Sequence, residues 1–236
     1  MGIFTDRDDV EDEAYLCAMK GNLARQVSNP SGDEVLADVV AGVSVRRVLD
    51  VGCGVGQALL PLAVGNDAVG VGIDLSQMAC SMGRESFATY LPQARAEFVR
   101  GQAELLPFAE GTFDVVNCAL SLPYTRNRQA LAEMSRVLKQ NGLLILRLHH
   151  TRFYMAMLWG GLKSMDLHPI VHASRVLVAG TIYHLTGHQC SFRWLKETFQ
   201  TRWMLRRELG RSGLRIEREL ACSHPQSPCF AISKPG

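Results

Sequence analysis

Short apolar runs alternate with stretches of helical spacing along most of this chain. The runs at 46–51, 67–74, 96–101, 113–120 and 142–150 are rich in Val, Leu and Ile, and each is short enough for a buried strand. Between them, 57–64, 76–90 and 127–139 repeat apolar residues every three to four positions, as helices do. Upstream, 14–27 and 33–41 read as two helices separated by the breaker "SNPSG". The rhythm stops at 152–190, where mixed apolar and aromatic helical turns appear. A helix at 194–210 and strands at 214–221 and 228–234 then restore it. Regular strand-helix alternation predicts a doubly wound α/β fold, because parallel neighbours need crossover connections. The expected sheet has seven strands, mostly parallel, with helices on both faces. The expected organisation is a helical cap at 1–45, an α/β core at 46–151 and 191–236, and a helical insert at 152–190 after the fifth strand.

Composition narrows the class of protein. With 236 residues, 47% hydrophobic and 20% charged, the chain can bury a full core in one domain. The formal charge of +2 lacks the basic excess of a dedicated nucleic-acid binder. Charge is uneven, however. Residues 6–13 hold six acids and one arginine, whereas 193–218 hold eight Lys or Arg and three Glu. Solvated surfaces account for both. Seven cysteines, at 17, 53, 80, 118, 190, 222 and 229, form no Cys-x-x-Cys pair, and they suit a reducing cytoplasm better than a disulfide framework. The start, "MGIFTDRDDV", turns acidic at once, without the order of a secretory leader. No segment reaches the roughly 18 unbroken apolar residues of a membrane span.

Candidate chemistry begins at "RVLDVGCGVGQALL", residues 47–60, where three glycines occupy every second position after an apolar run. In a doubly wound sheet this loop lies at the carboxyl edge, where ligands bind. Glycine there allows tight turns and removes the Cβ atoms that would block a ligand. The dinucleotide pattern Gly-x-Gly-x-x-Gly/Ala fails from either start, since Gln57 or Leu59 stands at the last place. Asp50 precedes the glycines at the strand end, where a carboxylate can organise the loop or face a cationic amine. Asp74 ends the second run, 18 residues past Gly56, and its two oxygens can accept from both hydroxyls of a ribose.

In their order and spacing, "LDVGCGVG", "GIDLS", "GQAELLPF", "FDVVNCALSL" and "EMSRVLKQNGLLIL" closely resemble the class I S-adenosylmethionine-dependent methyltransferases, particularly those acting on small molecules. The resemblance covers about 46–150. It implies a Rossmann-like core and S-adenosyl-L-methionine as cofactor. It assigns the backbone of Gly52, Cys53 and Gly54 to the methionyl part, Asp74 to the ribose, and Leu75 to the flank of the adenine. Gln102 and the backbone N–H of Ala103 would read the adenine edge with Glu104 nearby. Many relatives carry Asp at the place of Gln102; a Gln carbonyl can still accept from the adenine amino group. Cys118 and Ala119 would line the floor under the sulfonium, with Cys53 and Cys118 as small wall residues and not nucleophiles.

The acceptor side is less defined. Methyl transfer from a sulfonium relies on alignment, and a base matters only where the acceptor must lose a proton. His149 and His150 close the fifth run at the ligand edge, so one of the two is a candidate base. The alternative is that both only cap the strand. Tyr124, in "SLPY", departs from the Asn-Pro-Pro-Tyr signature of nucleobase amino methyltransferases and reads as a wall residue. No cluster of carboxylates follows the fourth run to hold magnesium. The sets His184, His188, Cys190 and Cys222, His224, Cys229 lack familiar metal spacing, so no metal is expected. The 152–190 stretch, with Phe153, Tyr154, Met157, Trp159 and Tyr183, would suit a roof over a lipophilic or aromatic acceptor. A homodimer interface or plain core are its alternatives. The leading expectation is therefore methylation of a small molecule at oxygen or nitrogen. RNA or protein methylation through the 193–218 arginines is a rival, as is cofactor binding without methylation.

Overall fold

Strand β1, Arg47–Val51, is buried on both faces after its first residue, as a strand covered by helices on each side must be. The structure, a computed structural model, describes residues 5–29, 34–41, 43–190, 197–220 and 226–235. The remaining strands are β2 (Val69–Asp74), β3 (Ala96–Arg100), β4 (Phe113–Ala119), β5 (Leu138–Arg147), β6 (Arg215–Leu220) and β7 (Cys229–Ser233). They form one sheet in the order β3-β2-β1-β4-β5-β7-β6. Strands β1, β2, β3 and β4 pair in parallel, whereas β7 runs antiparallel to both β5 and β6. Strand order reverses at β1, and the loop after it opens at a topological switch point.

The helices are α1 (Thr5–Ser28), α2 (Glu34–Val40), α3 (Leu59–Leu62), α4 (Gln77–Tyr90), α5 (Asn127–Val137), α6 (Thr151–Ser164), α7 (Leu167–Thr186) and α8 (Arg202–Arg211). Two compact units result. One comprises Met1–Gln102 with Thr112–Asn117, and the other Ala103–Gly111 with Cys118–Gly236. In the first, α1 packs on α4, with Lys20 paired to Glu85 at 2.8 Å, and the T-shaped Phe87–Phe98 pair joins α4 to β3. In the second, α6 and α7 form a hairpin whose inner side, Tyr154, Ala173 and Val176, closes on Phe199.

Three boundaries differ from the sequence reading. Strand β5 starts directly after α5 and stops at Arg147, so His149 and His150 lie beyond the strand. Their segment still pairs its backbone: Leu148 N–H donates to the Pro228 carbonyl and His150 N–H to that of Gln226. The last helix begins at Arg202, not 194, because the Thr201 hydroxyl caps it by accepting from Met204 N–H. Residues 191–196 lie outside the described residues. The helix expected at 57–64 shrinks to four residues followed by a tight 3-10 turn, Val64–Asn66.

Candidate functional site

In the first unit the parallel register sets the chemistry of the glycine loop. Gly52, Gly54 and Gly56 all have positive φ, at 72°, 53° and 85°, which explains glycine at each. Their surroundings differ. A Cβ on Gly56 would come within 2.6 Å of the Phe98 ring, so this glycine serves the core. A Cβ on Gly54 would meet the Met19 methyl at 2.9 Å, and Gln57 Nε2 donates to the Met19 carbonyl at 3.2 Å. Helix α1 therefore reaches over the loop.

The loop's N–H groups are turned inward. Gly52 and Cys53 both donate to the Ile73 carbonyl, Gly54 donates to Asp74 Oδ2 at 2.9 Å, and Gly56 donates to the Cys53 carbonyl. A pyrophosphate cradle needs such donors aimed at the ligand, together with a helix N-terminus. Here the donors are occupied, and the helix that follows is a single turn. Asp74 also accepts from Ser76 N–H through Oδ1 at 2.9 Å, so each carboxylate oxygen is fixed by one bond and retains a further lone pair. Leu75 beside it is exposed, an apolar side chain without cover, and Gln102 is exposed as well.

Asp50 is buried in the sheet, where the β1–β4 register sets it opposite Asn117. Asn117 Nδ2 donates to Asp50 Oδ1 at 2.7 Å. Burial nevertheless pushes the Asp50 carboxyl up to about 7, opposed by the Asn117 hydrogen bond and assisted by the charge of Asp74. Burial, then the charges of Asp50 and Asp74, also raises the Cys53 thiol well above its ordinary range.

In the second unit, the loop carrying Ala103 and Glu104 is tied to α5. Leu106 N–H donates to Glu133 Oε2, and Arg136 donates to the carbonyls of Leu106 and Phe108 while pairing with Glu133. Glu104 Oε1 accepts from Arg126 N–H at 2.8 Å, just before α5. Cys118 is buried and Ala119 half-buried at the end of β4. The next residue, Leu120, has φ +63°, a conformation that costs an L-residue about 1–2 kcal/mol. Its N–H is held by the Arg147 carbonyl. Tyr124 follows, exposed at the end of a 3-10 turn whose Leu122 and Pro123 are buried.

His149 and His150 have different environments. His150 Nδ1 accepts from Arg152 N–H at the start of α6, so this residue is a helix cap, and burial together with Arg152 and Arg202 lowers its basicity. His149 Nδ1 lies 2.9 Å from Ser227 Oγ, and its ring stacks on Phe153 with centroids 3.8 Å apart. Tyr154 meets the same ring edge-on. The Tyr154 hydroxyl donates to Glu197 Oε1 at 2.8 Å, and the other oxygen of Glu197 pairs with His172 Nε2 at 3.3 Å. Burial and the Glu197 charge raise the Tyr154 phenol. Met157 flanks the Tyr154 cluster, Tyr183 is buried in α7, and Trp159 is 61% exposed. Phe153, Tyr154 and Met157 thus gather beside or around His149 and Phe199, while Trp159 faces outward.

Among the described residues no three His, Cys, Asp or Glu side chains converge as a metal site. His184 bonds instead to the Gly180 carbonyl and Thr201 Oγ1, and His188 to the Thr186 carbonyl. Cys222 and His224 lie outside the described residues. On α8, Arg202 pairs with Glu219 and Arg211 with Glu208 at 2.6 Å, so half of the arginine face is engaged within the chain.

Residues 48–142 match the family described as methyltransferase domain. The chain is 37% identical over 111 residues to a demethylmenaquinone methyltransferase of Shouchella clausii, covering 46% of each protein. It is 34% identical over 103 residues to the ubiquinone/menaquinone biosynthesis C-methyltransferase UbiE of Geotalea uraniireducens, covering 42% of this chain and 44% of that one. An O-methyltransferase, cnsE of Penicillium expansum, is 30% identical over 119 residues, covering 49% and 43%. The chain spans less than half the length of these curated relatives. Among solved structures, magnesium protoporphyrin IX methyltransferase of Synechocystis PCC 6803 with bound SAH shares the fold, with a TM-score of 0.58 over 90% of this chain and 86% of that one at 18% identity. The match is confined to 48–142, and it is this region that is similar to methyltransferase domains.

Several contributors escape sequence reasoning. Asn117 had one signal, a lone amide inside the apolar run "FDVVNCAL". Met19, Ser227, Glu197 and His172 had none, because each reaches its partner only through the fold.

Proposed function

We propose that the chain is an S-adenosylmethionine-dependent methyltransferase acting on an oxygen or nitrogen of a small lipophilic or aromatic molecule. One observation carries the cofactor half: a glycine loop whose N–H groups are occupied internally, next to a carboxylate pinned by two backbone bonds. Such a loop offers a carboxylate and few free N–H donors, which suits a cationic ligand and disfavours a pyrophosphate. The residues fit the cofactor. Asp74 accepts from the ribose hydroxyls, the backbone of Gly52, Cys53 and Gly54 receives the methionyl ammonium with Asp50 behind it, and Leu75 covers the adenine. Gln102, Ala103, Glu104, Cys118 and Ala119 keep the roles that the resemblance implies. When bound, the cofactor supplies a methyl group on a sulfonium, already joined to a good leaving group.

The chain's own part is alignment and removal of a proton. His149 Nδ1 lies 2.9 Å from Ser227 Oγ, a contact that holds the ring, and in this reading the imidazole takes the acceptor proton. Phe153 supports the ring by stacking. His150, a helix cap, has no part in this step. Phe153, Tyr124 and Met157 supply apolar surface for the acceptor, consistent with relatives named for methylation of quinone precursors. The relatives' names include both carbon and oxygen methylation, and the choice of oxygen or nitrogen rests on an imidazole, His149, as the group that would take the proton of a hydroxyl or amine. The test is incubation of the purified chain with the cofactor and a panel of phenols, quinols and aryl amines, followed by mass spectrometry. The expected result is a product heavier by one methylene and S-adenosylhomocysteine in equal amount. Tight cofactor binding with no acceptor methylated would favour the non-methylating reading.

A further inference from the structure

The α6–α7 hairpin has more apolar surface than its own core uses. Its inner side is satisfied by Tyr154, Ala173, Val176 and Phe199, and Gly180 lies so close to Phe199 that a Cβ there would stand 2.3 Å from the ring. The outer side should then be polar, as on a surface helix. Instead α6 exposes Met155, Trp159 and Leu162, spaced four and three residues apart along one face. The turn exposes Met165, at 87%. Helix α7 exposes Leu167, Val171, Val178 and Ile182, again on a helical stripe. An apolar surface of this extent on a folded unit marks an interaction site.

The charges around it identify the partner. Residues 151–190 carry Arg152, Lys163 and Arg175 and a single acid, Asp166. That acid is engaged in capping α7 through His168 N–H. The Lys163 ammonium lies 5.4 Å from the centre of the Trp159 ring, an aromatic body beside a long cationic side chain. At the far end of α7, Arg207 of α8 lies beside Gly187 and stacks over the exposed Trp203. Basic helices with Trp, Met and Leu on the exposed side are built for the headgroup region of an anionic bilayer. No helix of the described residues is long and apolar enough to cross a membrane, so the hairpin would lie on the surface. Self-association fits less well: two copies meeting on this face would oppose Arg152, Lys163 and Arg175 with their own kind.

We infer that the outer face of the α6–α7 hairpin is a docking surface for an anionic lipid membrane. The inference is independent of the methyltransferase reading, and its test uses neither cofactor nor acceptor. The full chain is mixed with vesicles of phosphatidylglycerol and phosphatidylcholine in equal parts, or of phosphatidylcholine alone, and the bound fraction is measured by flotation. Binding to the anionic vesicles is expected, weakened about tenfold or more on the neutral ones and by high salt. The double variant Trp159→Ser, Leu162→Ser should lose at least another tenfold while its thermal unfolding stays unchanged, because both side chains are exposed. Absence of binding to anionic vesicles, or equal binding by the folded double variant, overturns the inference. So does a concentration-dependent dimer that the double variant abolishes, which would give the face to a second copy of the chain.

Discussion

The glycine loop and the His149 neighbourhood do comparable jobs by opposite means. The loop is backbone chemistry: alternate residues with positive φ, N–H groups directed at Ile73 and Asp74, and one carboxylate held from both sides. The histidine neighbourhood is side-chain chemistry, joined across 78 residues from His149 to Ser227 and across 43 from Tyr154 to Glu197. Local conformation leaves marks in sequence, because only some residues tolerate it. Side chains that meet through tertiary folding leave almost none.

The comparison breaks first at Gly56. Gly56→Val puts a Cβ into the Phe98 ring at φ +85°, and the sum of strain and overpacking should cost about 3 to 4 kcal/mol in a denaturant titration. A variant as stable as the parent would mean that the loop is not shaped by this packing. On the other side, His149→Ala should lower turnover on a phenolic acceptor by about a hundredfold or more, with cofactor affinity unchanged. Full turnover across pH would leave alignment as the only source of rate.

Asp74→Ala should weaken cofactor binding by about 1.5 to 3 kcal/mol, since charge-assisted bonds to the ribose are lost. Unaltered affinity in a folded variant would place the ribose elsewhere. Asp50 sharpens the electrostatic part. Its carboxyl is raised from 3.8 to about 7, so the fold favours the protonated form, and stability from this group declines as pH rises from about 4 to 7. Cofactor binding should run the other way, because the ionised form attracts the methionyl ammonium. Affinity is expected to be about tenfold lower at pH 6 than at pH 8, and Asp50→Asn should flatten that slope in calorimetry. A slope that persists in the variant would assign the titration to another group.

The same contrast governs what the sequence made legible. The strand-helix alternation, the glycine loop and the strand-end place of Asp74 follow from apolar runs, glycine spacing and a strand-end acid. The apolar pattern runs past the end of the fifth strand at Arg147, because Leu148 and His150 continue backbone pairing after the ladder has stopped. The helical pattern extends upstream of the last helix, because the capping role of Thr201 is hidden behind a mixed run of charged and apolar residues. His149 and His150 look equivalent in "RLHH"; one caps a helix and the other stacks on Phe153, a distinction set by residues far along the chain. The outward apolar stripe of the hairpin was visible as composition, but its facing required the core partner Phe199.

The central claim is that the loop after β1 takes a cationic sulfonium nucleoside and not a dinucleotide. Isothermal calorimetry of the purified chain against S-adenosylmethionine, S-adenosylhomocysteine and NAD tests it most directly. Saturable binding of the first two, with no heat from NAD, is the predicted result. Binding of NAD with no response to either S-adenosyl compound would contradict the account.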